Sequence, residues 1–237
     1  MAFPQYTVGL ETSGQIGSIA ILQGDELLAE RSLGESGRRH ARSLISELDD
    51  LLKSHSIAPR AVEHVAVSVG PGSFTGLRVG VVATKLWGYA TGARLTAVGT
   101  FEAIAAALPV DARGAWIIDD ALRGEVFVQR FDVDGKRWRP SGDVRIAGLD
   151  AWLSETAPAD LVAGPAAAKW PDDLDRARLA VVVPEFHRPT AEFVARCGLE
   201  KAAAGNFADP FQLSPLYIRR SAAEEKLDAQ PATGPSR

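Results

Sequence analysis

The stretch Ser68-Val69-Gly70-Pro71-Gly72-Ser73-Phe74-Thr75-Gly76-Leu77-Arg78-Val79-Gly80 constrains the fold of this chain more than any other segment. Before it, Val65-Ala66-Val67-Ser68-Val69 is a short apolar run with β-branched residues and reads as a strand. After it, Leu77 to Ala90 has helical length and no proline, and Ser73 or Thr75 can cap its first turn through a side-chain oxygen. Gly72, Gly76, Gly80, Thr84 and Gly88 recur at every fourth position, so they lie along one side of this helix and its entry turn. A glycine inside a helix costs about 1 kcal/mol relative to alanine. Repeating that cost makes sense where another backbone comes very close. Leu77, Val79, Val81, Val82, Leu86, Trp87 and Tyr89 cover the other faces, so burial on more than one side is expected.

The loop nearly matches three phosphate or nucleophile motifs and satisfies none. Gly70, Gly72 and Gly76 give Gly-x-Gly-x-x-x-Gly, one residue longer than a dinucleotide fingerprint, and Arg94 to Thr100 holds no acidic residue for a ribose. A P-loop needs Lys-Ser or Lys-Thr after its last glycine, where Leu77-Arg78 stands. A nucleophile elbow needs glycines two before and two after the serine, and Ser73 has Pro71 and Thr75 there. A tight turn with positive φ and close packing explains the glycines equally well.

The rest of the chain falls into two similar halves. Strands are expected at Tyr6–Leu10, Ile16–Leu22 and Leu27–Leu33, and an amphipathic helix over Arg39–Lys53. The Val65–Val69 strand, the glycine-lined helix and a strand near Leu95–Val98 complete the first unit. Strands then follow at Ala115–Ile118, Glu125–Phe131 and Trp138–Ile146, with Asp134-Gly135 turning between the last two. Leu149–Glu155 reads as a helix, Leu161–Ala163 and Leu179–Val183 as strands, and Thr190–Ala203 as a helix. Two β-β-β-α-β-α units predict an α/β protein with lobes at 1–100 and 101–220. Residues 221–237, small and charged, read as a disordered tail.

Composition excludes several function classes. A net charge of −4 argues against strong independent binding to nucleic acid. Cys197 is the only cysteine, so no disulfide framework or cysteine zinc site is available, and a reducing cytoplasm fits. No apolar run approaches the roughly 20 residues of a membrane span. His40, His55, His64 and His187 are scattered; positions 36, 37, 43 and 44, where a helical partner for His40 would stand, hold Ser, Gly, Ser and Leu. Glu11-Thr12-Ser13-Gly14, at the first strand's end, can hold Mg²⁺ or approach a phosphate, or be a plain hairpin turn. Asp119-Asp120 can be an acid/base couple or part of a salt-bridged loop.

Taken together, Ser68–Gly80, Lys85, Tyr89, Val98-Gly99-Thr100-Phe101-Glu102, Glu11-Thr12-Ser13, Arg39-His40-Ala41, Asp120 to Phe127 and Pro215-Leu216-Tyr217-Ile218-Arg219 resemble the TsaB (YeaZ) family. That family is the dimerization subunit of the bacterial machinery that makes threonylcarbamoyladenosine in transfer RNA. The resemblance covers residues 6 to 220 and implies a two-lobed actin-like ATPase (ribonuclease H-like) fold. It also implies a cytoplasmic, non-catalytic partner of the paralogue TsaD, which transfers the threonylcarbamoyl group, in a complex joined by the ATPase TsaE. Like the family, the chain lacks TsaD's metal-binding histidine pair, having His40 and Leu44 there. ATP or ADP and Mg²⁺ would enter only with the complex, and tRNA would be reached indirectly.

The family pairs with TsaD or with itself through helices of the first lobe. The candidate interface here is therefore His40, Leu44, Leu48, Leu51, Gly72, Gly76, Leu77, Gly80, Val81 and Thr84. On that reading Gly80→Leu disrupts assembly; helices that merely cover their own sheet are the open alternative. Residues near nucleotide in the complex would be Glu11, Thr12, Ser13, Gly14, Gly70 and Ser73, with no catalytic residue and no metal ligand assigned. Glu11 stands where the family more often has aspartate, Phe127 where it often has tyrosine, and Gly164-Pro165-Ala166 replaces a Gly-Asp-Gly-like turn. Two other classes remain: an actin-fold ATPase or small-molecule kinase using Glu11 with Asp119 or Asp120, and a peptidase, for which no nucleophile set is visible.

Overall fold

The computed structural model describes residues 4–34, 37–110 and 112–219, with backbone alone for 37–42. Strands β1 (Tyr6–Glu11), β2 (Gly17–Gln23) and β3 (Glu26–Leu33) form an antiparallel meander, followed by helix α1 (Gly37–Ser54). β4 (Val62–Gly70) leads into α2 (Phe74–Thr91) and β5 (Arg94–Gly99). The sheet order is β3-β2-β1-β4-β5, with β4 and β5 added parallel to β1. A helix not anticipated from the sequence, α3 (Thr100–Ala107), starts directly at the end of β5.

The second lobe repeats this plan. β6 (Gly114–Leu122), β7 (Glu125–Asp134), β8 (Arg137–Pro140) and β9 (Arg145–Gly148) are antiparallel neighbours. The strand expected over Trp138–Ile146 is thus two, both paired to β7 and separated where Pro140 and Gly142 interrupt the ladder. After α4 (Leu149–Leu153), strand β10 (Leu161–Ala163) pairs parallel with β6. A short helix missed in the sequence, α5 (Pro171–Arg176), precedes the edge strand β11 (Ala180–Val181), and α6 (Ala191–Ala203) follows. With β8 and β9, both paired to β7, counted together as the third strand of the second lobe, both sheets have the order 3-2-1-4-5, antiparallel then parallel. This duplicated sheet is the two-lobed actin-like (ribonuclease H-like) fold.

Strand alternation divides the cores. Val8, Leu10, Ile19, Ile21, Val65 and Val67 point to the side covered by α1 and α2, where Leu44, Leu48, Leu51 and Leu52 are almost fully buried. Each such leucine contributes roughly 1.5–3 kcal/mol by leaving water. The opposite face of the same sheet is covered by α6, with Ala195 and Leu199 against Leu22. The chain runs so close there that a Cβ on Gly9 would stand 2.1 Å from the carbonyl oxygen of Ala191. Ser18 Oγ accepts the Ala191 N–H at 2.8 Å and fixes the start of α6.

Packing crosses the expected boundary at residue 100. α6 belongs by sequence to the second half and packs on the first sheet. α3 is shared: Phe101, Ile104 and Leu108 pack on the inner face of the second sheet with Ile117 and Phe131, while Ala103 meets Ala66 and Val194. On the outer face of that sheet, Trp152 and Leu174 of α4 and α5 pack on Trp116, Ile118 and Val126. The expected disordered tail, 221–237, lies outside the described residues.

Candidate functional site at the β1–β2 turn and the interlobe cleft

β1 and β4 are adjacent and parallel, so their carboxyl ends meet at one edge of the first sheet. Glu11 ends β1 and Gly70 ends β4, which brings the two loops singled out in the sequence into direct contact. Ser73 N–H donates to the Ser13 carbonyl at 2.7 Å, and Thr12 Oγ1 donates to the Gly76 carbonyl at 2.8 Å. Ser73 caps α2 as expected, its Oγ accepting from Gly76 N–H at 3.2 Å.

The glycine stripe does accommodate a close backbone, and that backbone is the chain's own. A Cβ at Gly76 would stand 1.9 Å from the Thr12 carbonyl oxygen, and at Gly72 2.6 Å from that of Ser13. At Gly80 it would meet Thr12 Oγ1 at 2.4 Å, and at Gly88 the Leu95 side chain at 3.0 Å. The second lobe repeats the device after β10: a Cβ on Gly164, at φ +116°, would lie 2.1 Å from the Ile118 carbonyl.

These placements revise the residue list drawn from the sequence. Leu44, Leu48, Leu51, Leu77, Val81 and Thr84 are buried inside the lobe, and Gly72, Gly76 and Gly80 face the Thr12–Ser13 turn. Gly80→Leu would therefore damage the lobe itself, because its side chain would grow into Thr12 and Val67. His40 lies in the first part of α1, residues 37–42, for which only backbone is described. The outward surface of α2 consists instead of Val82, Leu86 and Tyr89, at i, i+4 and i+7, exposed at 53%, 62% and 89%. Ile45 of the neighbouring α1 is also exposed.

Glu11 is fully buried and turns back on its own loop. Its Oε1 accepts from Ser13 N–H at 2.5 Å, Ser13 Oγ at 2.5 Å and Gly14 N–H at 3.2 Å. Burial pushes the carboxyl above the usual glutamate range despite these donors and the nearby Ser68 hydroxyl, and Oε2 is enclosed without a well-formed hydrogen bond among the described residues. Three amides of this turn are engaged internally, those of Ser13 and Gly14 on Glu11 and that of Ser73 on the Ser13 carbonyl. An enclosed carboxyl biased toward its neutral form is a poor Mg²⁺ ligand. Among the described residues no group of three His, Cys, Asp or Glu side chains could hold a metal.

Across the interlobe cleft, Asp119 and Asp120 diverge. Burial raises the Asp119 carboxyl to about 6, while the hydrogen bond from Lys169 Nζ at 2.5 Å holds Asp120 below its usual range. Asp120 is thus the loop ion pair that the sequence left open. The cleft beside it has a volume of about 420 Å³ and is walled by the Pro71–Leu77 region, the β6–β7 turn and the segment Leu216–Arg219. Leu216 N–H donates to the Val69 carbonyl at 2.7 Å, and Arg219 reaches the Ala121 carbonyl and Glu125, so this segment straps one lobe to the other. Arg78 stacks over the Phe74 ring at 4.0 Å and donates to Tyr217 Oη at 2.9 Å. Sequence reasoning gave the strap no role; only contacts far apart in the chain reveal it.

No helix among the described residues is long and apolar enough to cross a membrane. Residues 34–209 match the family model described as TsaD: tRNA N6-adenosine threonylcarbamoyltransferase. An uncharacterised protein of Mycobacterium tuberculosis (strain H37Rv) is 32% identical over 79% of this chain and 78% of its own. The tRNA threonylcarbamoyladenosine biosynthesis protein TsaB of Bacillus subtilis is 26% identical, covering 92% and 96% of the two chains. YeaZ from Pseudomonas aeruginosa superposes with a TM-score of 0.72 at 22% identity, over 90% of this chain and 99% of that one.

Proposed function

The chain belongs to the TsaB (YeaZ) family, and from that premise we propose that it works in tRNA threonylcarbamoyladenosine biosynthesis as a non-catalytic partner subunit. Its partner on this reading is a TsaD-type catalytic paralogue, with a TsaE-type ATPase joining the complex and tRNA reached through it. The observation that carries the proposal is the apolar outward stripe Val82, Leu86 and Tyr89 beside Ile45. Large apolar side chains aligned on one helix face are what a protein partner covers. The Glu11 turn is compatible with the same reading, because its Ser13 and Gly14 amides donate to Glu11. Nucleotide and Mg²⁺ then belong to the assembled complex, and the site of action is the cytoplasm.

The test is Leu86→Asp in the full chain, titrated against the TsaD-type paralogue of the same organism. Leu86 is 62% exposed, so the variant should keep its unfolding midpoint and lose partner affinity by about tenfold or more. Unchanged affinity would remove the α2 face from the interface. ATP turnover by the purified chain alone, abolished by changes at Glu11 or Asp119, would favour the actin-fold ATPase or kinase alternative.

A further inference from the structure

The lobes are joined in two different ways. Between the sheets the contact is broad: α3 packs on both, and Arg137 and Arg139 of β8 share Glu200 of α6 at 2.8 and 3.1 Å. At the interlobe cleft the strap makes the connection, and its two ends are attached unequally. The first-lobe end is built in. Leu213 is buried in the core under α1 and α2, and the Leu216 N–H donates to the Val69 carbonyl at 2.7 Å. The strap passes so close to the end of β4 that a Cβ on Gly70, at φ +126°, would lie 2.9 Å from the Leu216 carbonyl oxygen. The Tyr217 ring stands 4.9 Å from that of Phe74, and its hydroxyl accepts from Arg78 Nε at 2.9 Å. Detaching this end would give up a buried leucine, a backbone hydrogen bond and an aromatic pair together.

The second-lobe end is held by the Arg219 side chain in a receptor shaped for it. β6 carries a bulge: Asp120 pairs with Val126 and Leu122 with Glu125, which leaves Ala121 without a partner on β7. Arg219 donates to the Ala121 carbonyl and to the Glu125 carboxylate across the turn. Leu122 sustains the bulge at φ +64°, its N–H donating to Asp120 Oδ1 at 2.8 Å. Hydrogen bonds from a guanidinium are strong, and two acceptors on either side of one turn fix its position. Yet the Arg219 and Glu125 side chains are 22% and 41% exposed, so water competes for both. This end can let go without disturbing a core.

We propose that residues 213–219 form a latch, fixed to the first lobe and closing on the second through the Arg219 guanidinium, whose release lets the interlobe cleft open. Relative movement is the ordinary behaviour of two packed units within one chain, and here the guanidinium sets how often it occurs at the cleft. The latch is separate from the Val82–Leu86–Tyr89 face and stands or falls without it.

Electron–electron double resonance on the full chain tests it. Spin labels go on Thr75→Cys and Ala168→Cys, exposed positions in the first turn of α2 and after β10, with Cys197→Ala removing the native thiol. With Arg219 present a short distance should dominate. Arg219→Ala should enlarge a longer-distance population about tenfold or more while the unfolding midpoint stays unchanged. Arg219→Lys, which keeps the charge but lacks the fork that reaches both acceptors, should fall between them. The Leu216 amide should keep its protection from hydrogen exchange in Arg219→Ala, because the first-lobe end stays in place. Superimposable distance distributions with and without Arg219 overturn the proposal. Loss of Leu216 protection in Arg219→Ala would mean that the strap leaves the first lobe as well, and overturns the latch as assigned.

Discussion

Gly76→Ala should destabilise the protein by about 4 kcal/mol or more, an effect reserved for a few mechanisms, backbone collision among them. The added Cβ would stand 1.9 Å from the Thr12 carbonyl oxygen and 3.1 Å from its carbon, so no side-chain adjustment relieves it. The start of α2 must lift off the β1–β2 turn. That breaks the Thr12 Oγ1 to Gly76 carbonyl bond and strains the Ser73 to Ser13 bond. Alanine's better helix propensity returns only about 1 kcal/mol. Two controls grade the series. At Gly88 the added atom meets only the Leu95 side chain at 3.0 Å, which can shift, and at Gly14 the nearest atom is 3.6 Å away. Urea midpoints should fall steeply for Gly76→Ala, modestly for Gly88→Ala and hardly at all for Gly14→Ala. Equal midpoints for the Gly76 and Gly14 variants would contradict the close approach.

The second large effect concerns His64, which is fully buried in β4 on the face covered by α6. Its ring spans three strands, Nδ1 lying 3.3 Å from Thr7 Oγ1 and Nε2 3.0 Å from Thr96 Oγ1. Burial, with a smaller push from Arg94, lowers its pKa to about 4. In the unfolded chain a histidine titrates near 6.5. Between those values the unfolded state binds the extra proton, so the stability due to neutral His64 is complete above pH 6.5. It is lost as pH falls toward 4 and does not change further below. The difference corresponds to about 3 kcal/mol. Glu11 and Asp119 are shifted upward and act in the opposite sense, favouring the fold at lower pH. The stability of wild type minus that of His64→Gln, measured at pH 7 and pH 4, isolates the histidine. A difference independent of pH would show that the ring titrates normally.

Much of the fold was legible because it rests on local patterns. The meander β1–β3, the helices α1 and α2 and the repeated lobe all follow from alternation, helical spacing and turn residues. Two helices escaped for physical reasons. Gly99 both ends β5 and caps α3, so no turn marks the change of period. α5 is a single short stretch behind Pro171, too brief to show periodicity. The glycine stripe shows the other limit. Spacing says that something must approach within a Cβ's reach of Gly76, yet its identity depends on how β1 sits beside β4, a contact 64 residues distant. The same holds for Leu44 and Leu48, whose amphipathic pattern suits a partner or the chain's own sheet equally, and here it is the sheet. Glu11 reads as a ligand candidate by position; its side-chain bonds to Ser13 and Gly14 make it the turn's own acceptor.

The docking of α6 onto the first sheet also bears on how the chain is made. The face formed by Gly9, Leu22, His64 and Ala66 receives most of its cover from residues 191–203, close to the end of the described chain. While the polypeptide emerges from the ribosome, the amino-terminal lobe has its strands and its first two helices but lacks that lining. A chain cut before Ala191 would keep only the α3 contacts on that face, so the lining of the first sheet is completed by one of the last elements to be synthesised.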